Sequence, residues 1–244
     1  MTASPWLGEF LGTLFLILLG NGVVAGVLLK RSKGENAGWL AITTGWAFAV
    51  MVGMFVAKAC GSADAHLNPA VTLGFAVRDA TFGKFAPYLT AQVLGAFVGA
   101  TLVWLFYFMH WRETPDPAMK LGCFCTIPAI RNLGANVFSE MVATFVLVFV
   151  AGAIFSKAVS ADGPAAGVAQ YIVGALVWGI GLSLGGTTGY AINPARDFGP
   201  RLAHAMWPVA GKGASDWSYA AVPIVGPLIG GALAGALLRG LHIS

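Results

Sequence analysis

A chain of 244 residues that is 57% hydrophobic and 10% charged lacks the polar surface of a soluble domain, so water-soluble fold classes are excluded. The formal charge of +4 is scattered over short polar stretches, which excludes nucleic acid as a partner and leaves membrane lipid as the surroundings. Cys60, Cys123 and Cys125 are too few and too irregularly placed for a disulfide framework or a four-ligand zinc site, and read as packing residues.

In chain order, six apolar runs approach or exceed the length of about 20 residues that spans a bilayer: roughly 6–29, 38–59, 84–109, 136–157, 168–186 and 218–240. The first lacks a basic leading region and a small-residue cleavage site, so it is expected to be a retained span. Between the second and third runs lies Asn68-Pro69-Ala70, and between the fifth and sixth lies Asn193-Pro194-Ala195. Each sits in a segment too short to cross. A polar stretch from Trp111 to Asn132, with Pro115, Asp116 and Pro117, reads as the linker between halves. The expected fold is all-α: six transmembrane helices plus two re-entrant half-helices. Orientation stays open on charge alone, because Lys30, Arg31 and Lys33 favour one side while Arg78, Lys84, Lys157 and Arg239 favour the other.

The repeated tripeptide is a repeated helix start. Asn is a favoured N-cap and Pro a favoured first helical residue, so each copy reads as a chain that enters, turns and begins a helix. A helix tip at membrane depth carries unpaired N–H donors and a partial positive charge of about half a unit. Two such tips face to face bracket a polar path, with Asn68 and Asn193 left partly free to donate to a solute. Irregular backbone at that depth is tolerated only where protein buries it or a wet cavity adjoins it.

The two halves share one plan. Glu9 and Glu140 lie 131 residues apart (140 − 9) in similar contexts, as do Gln92 and Pro223, while the two Asn are 125 apart (193 − 68). Repeat one covers about 1–110, the linker about 111–132 and repeat two about 133–244, in a single membrane channel domain. Three spans per half, an odd number, force the second half to be inverted relative to the first. Inverted repeats place the solute path at their interface near the midplane. Small-residue pairs such as Gly8 with Gly12, Gly95 with Gly99 and Gly226 with Gly230 suit close helix contacts in lipid.

Where the repeat breaks, function is implicated. Three positions after the first Asn stands Val71, and three after the second stands Arg196. A cation in the first turn opposes the helix dipole and is costly at bilayer depth, so Arg196 is expected to line the path as a fixed charge; the alternative is an interfacial Arg held by Asp197 or loop carbonyls. Glu9 and Glu140 read chiefly as acceptors tying down the loop into each short helix, and otherwise as proton-coupling carboxylates. His66 is either a pH gate or a brace for a tight turn.

Ala65-His66-Leu67-Asn68-Pro69-Ala70-Val71-Thr72 and the segment from Gly189 through Asn193, Pro194, Ala195, Arg196, Asp197 and Phe198 to Arg201 resemble the signature loops of the aquaporins. The resemblance covers nearly the whole chain. Asp197, Arg201, Pro223-Ile224 and the long second loop resemble the aquaglyceroporin branch, the glycerol facilitators of bacterial type. That resemblance implies a homotetramer with one pore per subunit in the bacterial inner membrane, carrying glycerol, other small neutral solutes and water passively while excluding protons and ions. It implies a selectivity filter of Trp46, Gly181, Tyr190 and Arg196, with Phe48 as the fallback for Trp46. Tyr190 stands where glycerol facilitators usually carry Phe, so a pore for water, urea, dihydroxyacetone or undissociated lactic acid is also in play. No cofactor or metal is needed, and no nucleophile–base set suggests an enzyme. A proton-coupled secondary transporter, using Glu9 or Glu140, is the competing class.

Overall fold

The structure, a computed structural model, describes residues 3–159, 161–165 and 167–243. These form ten helices: α1 (Pro5–Leu28), α2 (Gly38–Ala59), α3 (Pro69–Asp79), α4 (Phe85–Phe106), α5 (His110–Glu113), α6 (Pro117–Gly122), α7 (Leu133–Ile154), α8 (Val168–Leu184), α9 (Pro194–Met206) and α10 (Val222–Gly240). No strand occurs among the described residues. Among them α1, α3, α6, α7 and α9 start on a side-chain cap. Ser4 Oγ accepts from Leu7 N–H at 3.2 Å with Pro5 in the first turn, and Asn132 Oδ1 accepts from Ala135 N–H at 3.1 Å.

Five helices, α1, α2, α4, α7 and α10, have the length and hydropathy to cross a membrane. The sixth, α8, has 17 residues, about 25 Å at 1.5 Å per residue, near the lower limit for a span. It stops two residues short of the apolar run, with Gly185 as its C-cap. The half-helices α3 and α9, with 11 and 13 residues, are too short to cross. The chain is therefore a multi-pass membrane protein of six spans and two half-helices, arranged as an inverted three-span repeat.

Packing follows the repeat. In the first half α1 lies along α4, and in the second α7 lies along α10; α3 packs on α10 and α9 on α4, so each half-helix rests on the last span of the other half. α2 and α8 pack against each other and so join the two halves. Missing side chains make these approaches close. A Cβ at Gly12 would sit 2.7 Å from Gly53 O, and one at Gly226 would sit 2.7 Å from Glu140 Cβ. Gly235 faces the Gly74 carbonyl of α3, and Gly231 faces that of Ala70, so α10 touches the half-helix backbone to backbone.

The polar stretch 111–132 does more than connect. Trp111, Cys123, Phe124 and Cys125 are all buried in it, it holds α6 and all of α5 but His110, and Asn21 Nδ2 of α1 donates to Phe124 O at 2.9 Å. The two buried cysteines and the half-buried Cys60 are free thiols, placed as packing side chains. One expectation tests this architecture. Gly235→Leu drives a side chain into the α3 backbone and destabilises the detergent-solubilised protein by about 1–3 kcal/mol, whereas Gly179→Leu, where a Cβ meets nothing within 4 Å, leaves thermal stability unchanged or raised. Thermal unfolding of the two variants beside the parent is the measurement.

Candidate functional site

Each half-helix is preceded by a loop that one buried carboxylate organises. Glu9 on α1 is completely buried and accepts from the backbone N–H of His66 (2.8 Å) and Leu67 (2.7 Å), from Ser62 Oγ (2.7 Å) and from Gln92 Nε2 (2.8 Å). Glu140 on α7 repeats the arrangement with Ala191 N–H (2.9 Å), Ile192 N–H (2.8 Å) and Thr188 Oγ1 (2.6 Å). Both loops bend through left-handed non-glycine residues at alternate positions, Ala65 (φ 48°) and Leu67 (φ 52°) in one, Tyr190 (φ 36°) and Ile192 (φ 43°) in the other.

At the end of each loop an Asn does two jobs. Asn68 Oδ1 accepts from Ala70 N–H at 2.8 Å, and Asn193 Oδ1 accepts from Ala195 N–H at 3.0 Å, capping α3 and α9. Across the interface Asn68 Nδ2 donates to Ile192 O at 2.7 Å and Asn193 Nδ2 donates to Leu67 O at 2.8 Å. The two half-helices thus meet tip to tip through reciprocal amide–carbonyl bonds. An amide nitrogen carries two hydrogens, so each Asn keeps one donor beyond this lock. The expectation that these side chains are partly free is narrowed to that one hydrogen each.

A cavity of about 370 Å³ runs past both tips. Its wall follows α2 from Trp46 to Lys58, about 18 Å at the helical rise. Its lining is mixed: apolar side chains of Val50, Met54, Phe75, Leu147, Val173 and Val177, with the polar groups of His66, Asn68, Asn193 and Arg196 and the loops before α3 and α9. At the Lys58 end stand the ion pairs Lys84–Asp64 (2.7 Å) and Arg78–Asp79 (2.6 Å). Neither Glu9 nor Glu140 lines the cavity.

At the other end Arg196, in the first turn of α9, lies over the Trp46 ring with Cζ 4.2 Å from its centroid. Its Nη1 is buried without a hydrogen-bond partner among the described residues. Asp197 does not hold it. That carboxylate accepts instead from Arg201 Nε (2.8 Å), Thr126 N–H (2.8 Å) and Thr126 Oγ1 (2.7 Å), while Arg201 donates onward to Ser215 O, Asp216 O and Thr126 O. Phe48 is 57% exposed on the outer surface, whereas Trp46 is buried on the cavity wall, where Gly20 makes room for it.

Gly181 sits differently from a bare opening. It is not on the cavity wall; Tyr190 covers it, and a Cβ there would lie 2.8 Å from Tyr190 Cζ and 3.0 Å from its Oη. His66 stacks on Phe75 (5.4 Å, 15°) and meets Tyr88 edge-on (5.7 Å), with its Nδ1 buried and unpartnered among the described residues. Sequence reading missed Ser62 and Thr188, hydroxyls six and five residues before the two Asn, a pattern the internal repeat contains. Thr126 it missed for want of any signal, since its tie to Asp197 spans 71 residues.

Comparison with known proteins agrees with this geometry. The family model described as "Major intrinsic protein" matches residues 3–238. A "Probable glycerol uptake facilitator protein" of Thermotoga maritima is 54% identical over 239 residues, 98% of this chain and 99% of that protein. "Glycerol uptake facilitator protein 3" of Lactiplantibacillus plantarum is 56% identical over 241 residues, covering 97% and 95%. The solved aquaglyceroporin of Plasmodium falciparum superposes with a TM-score of 0.83 at 29% identity, over 97% of this chain and 95% of its own. With two linked helix tips in an inverted repeat and a match along almost its whole length, this chain belongs to the major intrinsic protein family.

Proposed function

We propose that the chain is a passive channel for glycerol and other small uncharged solutes, with water, that excludes protons and ions. The observation that carries this reading is the cavity of mixed apolar and polar lining that includes Trp46, Tyr190 and Arg196. Apolar side chains suit the CH groups of a polyol, and Arg196, the spare Asn hydrogens and the loop carbonyls suit its hydroxyls. Exclusion of cations rests on the positive tips of α3 and α9 together with the charge of Arg196. The relatives named for glycerol uptake and the aquaglyceroporin fold support the same substrate class. Two equivalent halves of one channel domain, residues 1–110 and 133–244, joined through 111–132, would work as a homotetramer in lipid, in the bacterial inner membrane.

Proton coupling is disfavoured by placement. The carboxylates of Glu9 and Glu140 are tied to four and three donors, and neither lines the cavity. In proteoliposomes, glycerol therefore equilibrates without concentrating, with or without an imposed pH gradient. Gradient-driven accumulation that Glu9→Gln or Glu140→Gln abolishes would establish a transporter instead.

Removing the fixed charge tests exclusion. Arg196→Val copies the first half's Val71, and proton leak in dye-loaded vesicles rises by about tenfold, a barrier change of roughly 1.4 kcal/mol, while glycerol flux persists. An unchanged leak would assign exclusion to the helix tips alone.

Gly181→His tests the constriction. Its side chain takes the space of the Tyr190 ring and pushes that ring toward Trp46 and Arg196, so glycerol flux collapses while water still passes. Glycerol permeability within about twofold of the parent, about 0.4 kcal/mol of barrier, would show that Gly181 and Tyr190 do not limit the path.

A further inference from the structure

Trp39 stands at the second residue of α2, seven positions before Trp46, and touches both Gly181 and Tyr190. Its indole Nε1 donates to Gly181 O at 3.1 Å. That carbonyl is one of the last four of α8, the set that has no intrahelical N–H to accept from. Left alone, it would be an acceptor without a partner behind the Tyr190 ring. Trp39 occupies it.

The same ring meets Tyr190 edge-on, with centroids 5.8 Å apart at 79°. Tyr190 needs such a contact, because its buried Oη has no hydrogen-bond partner among the described residues and its own backbone is left-handed at φ 36°. No polar bond at its tip sets the position of the ring; van der Waals contact sets it. Behind the ring lie Gly181 and Gly185 of the α8 end. A Cβ at Gly185 would come within 2.6 Å of Tyr190 Cδ1 and 2.8 Å of Trp39 Cζ2, so that one glycine admits both rings. Trp39 is 39% exposed, and its removal would leave space on the open side of Tyr190.

We infer that Trp39 is a positioning residue of the constriction: anchored to α8 by its bond to the Gly181 carbonyl, it clamps the Tyr190 ring against α8 and so sets the longest polyol the channel admits. This rests on the reading of Tyr190 as part of the constriction. The clamp joins α2 to α8 and to the loop before α9, the three elements that meet at that end of the cavity.

The experiment measures erythritol and glycerol permeability, with water as reference, in proteoliposomes of the parent and of Trp39→Ala, Trp39→Phe, Tyr190→Ala and the double variant Trp39→Ala/Tyr190→Ala. The erythritol-to-glycerol ratio rises at least about threefold in Trp39→Ala, where the Tyr190 ring gains room to swing, and about twofold in Trp39→Phe, which keeps a ring but loses its anchoring bond to Gly181. In the Tyr190→Ala background, Trp39→Ala changes the ratio by less than about 1.5-fold, because the ring it clamps is gone. A merely structural Trp39 would lower thermal stability and scale all permeabilities together. An unchanged ratio in both Trp39 variants, with Tyr190→Ala shifting it, overturns the clamp and leaves the constriction reading intact. An unchanged ratio in Tyr190→Ala as well overturns both. Should Trp39→Ala fail to assemble, Trp39→Phe alone decides between these outcomes.

Discussion

A peptide chain that stops and turns inside a bilayer must satisfy its N–H and C=O groups without water, and every feature of this cavity depends on how that is done. Here one carboxylate per half supplies the acceptors. Glu9 takes the amides of His66 and Leu67, and Glu140 those of Ala191 and Ile192. Two left-handed non-glycine residues per loop cost about 1–2 kcal/mol each. Hydrogen bonds to a charged acceptor contribute about 1.5–3 kcal/mol each, so the three or four at each Glu are large enough to hold the strained loop. Once amides face the carboxylate, the Leu67 and Ile192 carbonyls are available to receive Asn193 and Asn68. The tip-to-tip contact of α3 and α9 is thus a consequence of the two buried acids.

Symmetry stops where chemistry needs it to. Val71 and Arg196 are equivalent positions, yet one adds to the apolar wall and the other brings a guanidinium to the end of the cavity. A free guanidinium at this depth requires that the neighbouring Asp197 be engaged elsewhere. Arg201 does that within a fully buried pair, and the breaking of such pairs costs about 3–5 kcal/mol. The pair also collects Thr126 from the segment between the halves and Ser215 and Asp216 from the loop before α10. Distant chain segments are therefore fastened to α9, and Arg196 is left to stack on Trp46.

Glycine acts at the constriction by admitting aromatic rings. Gly20 makes the space for Trp46, and Gly181 with Gly185 makes the space for Tyr190. The cavity end is consequently lined by two rings seated in glycine hollows and one cation. Each is placed by a neighbour on a different helix.

Much of this was legible in the sequence. Apolar run length yielded the spans, because bilayer thickness imposes a length on any helix that crosses it, and the repeated Asn-Pro-Ala marked both half-helix starts, because capping is local chemistry. Equivalent spacing of Glu9 and Glu140 pointed to their role as loop acceptors, and the Val71/Arg196 difference singled out the cation. Composition was misleading only for 111–132, whose polar character hid Trp111 and Phe124 in the interior, since burial there depends on segments far away in the chain. What tertiary structure alone decided were the partners: that Asp197 belongs to Arg201 and not Arg196, that Trp46 and not Phe48 faces the cavity, and that Gly181 lies beneath Tyr190. Helix starts and span lengths are settled by residues within a turn or two of each other, whereas these pairings join residues from different helices, and only packing brings them within reach.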